Sequence, residues 1–432
     1  MKILLVNPPN CGRSIPEEEY GIDTIKMIFR GEPLALEVIA GNLYGHDVAI
    51  ADLKVTPDFL EKTLEQFEPD LVGFTGVTCE ANTVVRLAGE IKRNSDALVV
   101  VGGHHASCDP AFFNHDAIDY IVMGLGKLSF RELVDAIANR TVGSGVPGVA
   151  KTNPGGSLDY VRRAYSHADL VDDRPPRYDL VAAHRDRYVM SGVGGKVGFV
   201  ASAYGCTHRC SFCSIPNMTD GRYLIHRPEA VLRDMQLLGE VPVVRLVDAN
   251  TFGDLENALS LGRCIIESGV KKAIVADVRA ETVTRHPDLF TLWKQAGLAS
   301  VVIGFEEISD AGLTRLNKRS SVAVNIEAMG ILKDLGIRVI GDFIVDPEYT
   351  EADFDALERF VAAHAIDLPL PSILTPLPGT PLHREMRHKI TIQDLDYYTF
   401  TNAVCPTRME PTLFYQAYAG MLKRFLKHIS HG

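Results

Sequence analysis

Gly205-Cys206-Thr207-His208-Arg209-Cys210-Ser211-Phe212-Cys213 sets three cysteines in eight residues, spaced C-x3-C-x2-C. Three thiolates on one tight loop suit a soft metal site. A structural zinc site asks for a fourth protein ligand. His208 lies inside the loop, but no second C-x2-C or H-x3-H follows. Iron–sulfur clusters are usually held by four thiolates. Three cysteines on a four-iron cube therefore leave one iron open to a small molecule. The competing reading is three buried structural thiols, and the surroundings of the loop decide against it.

Upstream of the loop runs Val197–Ala203, the first strand of a βα series. Further strands are expected at Val243–Val247, Ala273–Ala276, Ser300–Phe305, Val339–Val345 and Ser372–Leu374. Helical patterns alternate with them at Pro228–Leu238, Leu255–Glu267, Pro287–Gln295, Val322–Leu335 and Ala352–Ala363. Pro228 and Pro287 stand where a first helical turn tolerates proline. Six βα units are too few to close an eight-stranded barrel. Residues 196–385 are thus expected to form an open, partial barrel with its active site at the strands' carboxyl ends.

Residues 1–140 carry a second alternation. Short β-branched runs at Ile3–Val6, Val48–Ala51, Leu71–Phe74, Leu98–Val101 and Tyr120–Met123 read as strands covered on both faces. Helical patterns at Pro33–Leu43, Asp58–Phe67, Asn82–Lys92 and Phe130–Ala138 make the sheet parallel and Rossmann-like or flavodoxin-like. The strand ends hold Asn7-Pro8-Pro9, Thr75-Gly76-Val77-Thr78, Gly102-Gly103-His104-His105 and Gly124-Leu125-Gly126. Glycines there are expected to let a bulky ligand approach the backbone. The loop from Pro8 to Glu32 is long for an α/β connection, and loops of that length are usually functional or disordered. Residues 141–195, with Gly143, Gly145, Pro147 and Gly148 at one end and Pro175-Pro176 further on, read as a linker with a small hairpin. Residues 386–432 are locally basic. Their last stretch, Leu413–Leu426, is an amphipathic helix that either docks on the barrel or rests on a membrane surface.

Composition narrows the class. The chain has 432 residues, with 44 Lys plus Arg against 55 Asp plus Glu, a formal charge of −11. That balance repels a phosphate backbone, so no nucleic-acid partner is expected. No apolar run spans a bilayer. The opening Met1–Val6 turns at Asn7-Pro8-Pro9 without a signal-peptide core, so a cytoplasmic location is expected. Eight cysteines in such a chain are not a disulfide framework.

The cysteine motif, with Phe212 just before its last member, resembles the radical S-adenosylmethionine (radical SAM) superfamily. Val247-Asp248-Ala249-Asn250-Thr251-Phe252 resembles the turn after that core's second strand, and Ile303-Gly304-Phe305-Glu306 its strand-four motif. Leu316-Asn317-Lys318 and Leu377-Pro378-Gly379-Thr380-Pro381-Leu382 resemble two of its later turns. In the N-terminal half, Asn7-Pro8-Pro9, Gly73–Thr78, Gly102-Gly103-x-His105 and Gly124-x-Gly126 resemble the cobalamin-binding domain of one branch of that superfamily. Two departures are visible. The usual acids are missing from Gly124-Leu125-Gly126-Lys127, and no Asp-x-His-x-x-Gly motif supplies a cobalt ligand, leaving only His104 and His105 as candidates.

The resemblance implies an α/β enzyme with three cofactors: a 4Fe-4S cluster on Cys206, Cys210 and Cys213, S-adenosylmethionine, and cobalamin. It implies reductive cleavage of S-adenosylmethionine, hydrogen abstraction from an unactivated carbon, and methyl transfer from cobalamin. An enzyme using the same cofactors for ring closure or ring rearrangement, without methyl transfer, is the alternative. It further implies that Phe212 packs on adenine, Asp248 and Asn250 accept from the methionine ammonium, and Arg279 and Glu306 hold the carboxylate and ribose. Cobalamin falls to Asn7, Pro8, Pro9, Thr75, Val77, Thr78, Gly102, Gly103, His105, Gly124 and Gly126. An external donor of flavodoxin or ferredoxin type is required. The segment Asn402–Arg408 resembles the tail of hopanoid methylases, which points to a small-molecule or lipid substrate.

Overall fold

The computed structural model describes residues 1–22, 29–141, 145–170, 174–190, 195–364 and 366–426. Gly143, Lys427 and parts of the 8–32 loop and the 141–195 segment lie outside those residues. The two βα series build two sheets. The first contains β1 (Lys2–Asn7), β2 (Asp47–Asp52), β3 (Leu71–Phe74), β4 (Leu98–Val101), β5 (Tyr120–Val122) and β6 (Val149–Lys151). Their order is β2-β1-β3-β4-β5-β6. Leu4, Val6, Val72, Phe74, Val99 and Val101 face one helical layer. Ile3, Leu5, Leu71, Val100 and Val122 face the other. This alternation is why the runs read as continuously apolar. The strand order reverses between β1 and β3, so Asn7 and Thr75 emerge at the switch point where ligands of such sheets bind.

The hairpin expected within 141–195 is instead the edge of this sheet: β6 pairs antiparallel with β5, Tyr120 opposite Lys151. A three-residue strand amid glycines and prolines carries no period to read. Nor is the rest of the segment a passive tether. The Tyr178 hydroxyl donates to the Phe199 carbonyl at 2.8 Å, and the Tyr188 hydroxyl to Asp52 at 3.0 Å. Arg185 pairs with buried Glu32. Residues 174–190 thus wedge the two sheets together.

The second sheet contains β7 (Val197–Val200), β8 (Val243–Leu246), β9 (Ala273–Val278), β10 (Leu298–Glu306), β11 (Arg338–Val345) and β12 (Leu368–Ile373). It is parallel throughout in strict sequential order, and among the described residues β7 and β12 do not pair with each other, so the barrel is open. The helix Pro411–Leu426 covers the β12 edge. Its Phe414, Tyr415, Tyr418, Met421, Leu422 and Phe425 are buried, and the Tyr418 hydroxyl donates to the Pro371 carbonyl at 2.9 Å. The amphipathic face of the described helix is spent on the barrel. Among the described residues no helix is long and apolar enough to cross a membrane.

Candidate functional site

The cysteine loop springs from a short antiparallel ribbon, Ala203–Gly205 with Tyr223–Ile225. Gly205 has φ +80°, and a Cβ there would stand 2.0 Å from the Arg222 carbonyl oxygen, so only glycine makes this entry. Three contacts clamp the loop from outside. Ser211 N–H donates to the Leu316 carbonyl at 3.0 Å, the Asn317 amide to the Arg209 carbonyl at 2.7 Å, and Leu382 N–H to the Ser211 carbonyl at 2.9 Å. Cys210 is buried, and Cys206 and Cys213 are half-buried. Burial pushes the Cys206 thiol up, and the Cys213 thiol to about 12. As free thiols they stay protonated at neutral pH, so a strongly cationic guest must draw them out as thiolates. Among the described residues no three His, Cys, Asp or Glu side chains converge on a single-ion site. The Arg279 guanidinium lies 4.0 Å from the Cys210 sulfur. A donor set of three sulfurs with a cation beside it fits a cluster with an open vertex.

From Phe212, Cys213 and Ser214 a cavity of about 500 Å³ runs along the carboxyl ends of β10, β11 and β12 to Leu422 of the terminal helix. Phe212 packs there with Leu316, Ile344, Leu374 and Leu382. Glu306 lines it and binds Lys318 Nζ at 2.7 Å, both residues being buried. A Cβ on Gly304 would stand 2.3 Å from the Glu306 carboxylate and 2.8 Å from Lys318 Nζ, so that glycine makes room for the pair. Arg279 also binds Glu281 at 2.6 Å and the Lys318 carbonyl, while its Nε has no partner. Asn250 is buried with Oδ1 unpartnered. These two orphaned groups, one acceptor and one donor, suit the ammonium and carboxylate of the methionine end of S-adenosylmethionine.

Asp248 departs from its expected part. It accepts from Ser202 N–H at 2.8 Å, Ala203 N–H at 2.9 Å and the Ser202 hydroxyl. Its carboxylate is therefore spent on the chain that leads into the cysteine loop. Nor does it cap the following helix, whose N-cap is Asp254, accepting from Asn257 N–H at 2.8 Å. Asp248→Ala strands two buried N–H donors at about 1–3 kcal/mol each. Urea denaturation is expected to show a loss on the order of 3 kcal/mol, with less iron bound per chain.

Asp342 belongs to none of the motifs, although an acid in the middle of Val339–Val345 is a visible signal. It lines the cavity, and burial, then Glu306 and Asp277, push its carboxyl up to about 8. The native chain therefore holds a proton that the unfolded chain, at the ordinary 3.8, has lost. Stability falls as pH rises between those values and levels off above them. Asp342→Asn is expected to flatten this slope, read as urea midpoints on either side of neutrality.

The strand ends of the first sheet face this loop directly. His104 Nε2 and the Ser214 hydroxyl are 2.6 Å apart, and the Asn217 amide lies 3.5 Å from the Cys108 sulfur and 3.3 Å from the Gly379 carbonyl. Pro9, Thr75, Gly102 and Gly103 are partly open there, and Asn10 and Val77 are exposed, Val77 by 43%. An apolar side chain standing open at a switch point suits the underside of a corrin. Other expected contacts are sealed beneath. The Asn7 amide donates to Asp52 at 2.8 Å, and Pro8 is buried. His105 is 0% exposed, held between Phe112 and Phe113 with Nδ1 3.3 Å from the Thr78 hydroxyl. Its Nδ1 supports the turn, while its Nε2 is buried with no hydrogen-bond partner. The glycines admit protein: a Cβ on Gly103 would meet Thr75 and Gly76, on Gly124 the Tyr165 hydroxyl, and on Gly126 Ile39. Their small size serves turn packing, which sequence alone does not distinguish from ligand access.

A three-sulfur loop facing the ligand end of a flavodoxin-like sheet belongs to an enzyme that couples an iron–sulfur cluster to a second large cofactor. Residues 22–134 match the B12 binding domain, and residues 200–361 match the radical SAM superfamily. The chain thus joins a B12-binding domain to a radical SAM domain. It is 29% identical over 399 residues to the hopanoid C-3 methylase of Methylococcus capsulatus, covering 90% of this chain and 75% of that one. An uncharacterized methyltransferase of Pyrococcus horikoshii is 29% identical over 396 residues, covering 88% and 82%. The fold matches the radical SAM methyltransferase TsrM from Kitasatospora setae, whose structure holds cobalamin and a [4Fe-4S] cluster. That match has TM-score 0.73 and 19% identity over 98% of this chain and 90% of that one.

Proposed function

We propose that the chain methylates an unactivated carbon of a largely apolar small-molecule or lipid substrate held in the cavity between Phe212 and Leu422. The lining of that cavity carries the reading: ten of its eighteen residues are aliphatic, aromatic or proline, Ile344, Leu370, Ile373, Leu374 and Leu422 among them, and its polar residues are Glu306, Asp342, two serines and three threonines. Such walls hold a hydrocarbon by burial, with isolated polar groups setting orientation. Phe400 also lines the cavity, is 46% exposed, and is held left-handed at φ 65°. Strained residues of this kind cluster at ligand clamps. The relatives named for hopanoids and for bacteriochlorophyllides support a bulky, apolar acceptor.

When bound, the cluster supplies reductive cleavage of S-adenosylmethionine and cobalamin supplies the methyl group. The chain supplies position. Phe212 offers its ring to the adenine, Asn250 Oδ1 accepts from the ammonium, Arg279 Nε donates to the carboxylate, and Glu306 accepts from the ribose. The terminal helix closes the open barrel edge and keeps water from the cavity.

The test is anaerobic reconstitution with iron, sulfide and cobalamin, followed by a hopanoid, a low-potential reductant such as dithionite, and S-adenosylmethionine carrying a deuterated methyl group. A labelled methylhopanoid, formed together with S-adenosylhomocysteine and 5′-deoxyadenosine, is the expected result. The deoxyadenosine without S-adenosylhomocysteine favours ring closure, the activity after which other relatives are named.

A further inference from the structure

In the proposed reaction each S-adenosylmethionine cleaved to 5′-deoxyadenosine and methionine takes one electron from outside, so the surface over Cys206–Cys213 must admit a donor. The chain as a whole is acidic, at −11. The surface over the cysteine loop is not. Arg209, Arg222 and Arg319 are all exposed, and among the described residues no carboxylate pairs with any of them. They form one continuous patch. The Asn317 amide donates to the Arg209 carbonyl, and Arg319 follows two residues on. The Arg209 guanidinium reaches Gly221, where a Cβ would stand 2.9 Å from Nη2, and Arg222 is the next residue. Arg319 is held left-handed at φ 55°, an unusual backbone for a residue with a side chain. The exposed acid at the rim, Asp220, already faces Arg162 at 3.9 Å.

A cationic patch on an anionic protein attracts an anionic partner to that one place and repels it elsewhere. We propose that the Arg209–Arg222–Arg319 patch is the docking surface for an acidic one-electron carrier of the flavodoxin or ferredoxin type. The proposal rests on the radical SAM reading of the adjacent cysteines. In the docked pair the carrier is oxidised by one electron and the cluster is reduced by one. No bond forms or breaks in that step.

The probe is a strongly acidic flavodoxin, reduced to its hydroquinone and mixed anaerobically with the reconstituted protein while cluster bleaching is followed. The wild type is expected to be reduced more slowly as salt rises, because surface charges are screened within about 10 Å at 0.1 M ionic strength. The R222E/R319E variant is expected to react at least tenfold more slowly at low salt, with a flattened salt dependence. Its reduction by dithionite stays at the wild-type rate, and R222K/R319K keeps the fast flavodoxin reaction. An unchanged flavodoxin rate in R222E/R319E, or a wild-type rate indifferent to salt, overturns the proposal. Should the charge-reversal variant bind less iron, R222Q/R319Q replaces it and must still slow the flavodoxin reaction. Failure of the underlying reading shows separately, as wild-type protein that takes up no iron and sulfide.

Discussion

Cys210→Ala folds, loses its cluster and does not turn over. The residue is 8% exposed on a loop whose backbone is hydrogen-bonded to Leu316, Asn317 and Leu382, and none of these contacts uses its sulfur. Removing one buried sulfur costs about 1 kcal/mol in packing, the scale of a single deleted methylene. Its chemical effect is far larger. The loop drops to two sulfurs, and among the described residues no other set of His, Cys, Asp or Glu side chains stands ready to take the metal. Circular dichroism and urea denaturation should match the wild type within about 1 kcal/mol. Iron and sulfide per chain and 5′-deoxyadenosine formation should fall to background. A Cys210→Ala protein that keeps full iron and wild-type turnover sinks the assignment of the loop.

Lys318→Met is expected to be the most destabilising single change near the site. Lys318 and Glu306 are 9% and 8% exposed, and Nζ stands 2.7 Å from the carboxylate. Removing one partner of a buried pair leaves the other charge uncompensated, at about 3–5 kcal/mol. Replacing both partners removes that penalty, so Glu306→Gln/Lys318→Met should recover most of the lost stability. It should not recover affinity for S-adenosylmethionine, because Glu306 lines the cavity. Urea midpoints and equilibrium binding of S-adenosylmethionine, measured on both singles and the double, separate the two roles. A double variant as unstable as Lys318→Met shows that the pair does not act as a unit.

The site was legible wherever its signal is local. Cys206, Cys210 and Cys213 announce themselves by spacing, and the core strands by short apolar runs. Lys318 drew attention only as part of a turn, and a lysine in a turn is ordinarily solvated. Its burial against Glu306, twelve residues earlier in the chain, needs the room left by Gly304, and that separation hides the pairing in the sequence. Asp248 and His105 sit in the expected motifs yet turn to Ser202 and Thr78. A motif gives a residue's place on a strand end, and its side chain then follows whichever partner is unsatisfied nearby. Phe400 carried no signal at all. It reaches the cavity because its carbonyl accepts from Ile373 N–H at 2.7 Å, and Asn402 binds the Arg13 carbonyl at 2.8 Å in the first domain.

Sequence alone determined the two βα series, the three-sulfur loop and hence the class of chemistry, because periodicity and close spacing are properties of neighbouring residues. Tertiary structure decided which groups face the ligands, how Ser214 meets His104, and that an arginine patch stands over the loop. Those outcomes depend on residues 100 or so positions apart finding each other, and only packing of the whole chain makes the contacts favourable enough to offset the entropy of ordering them.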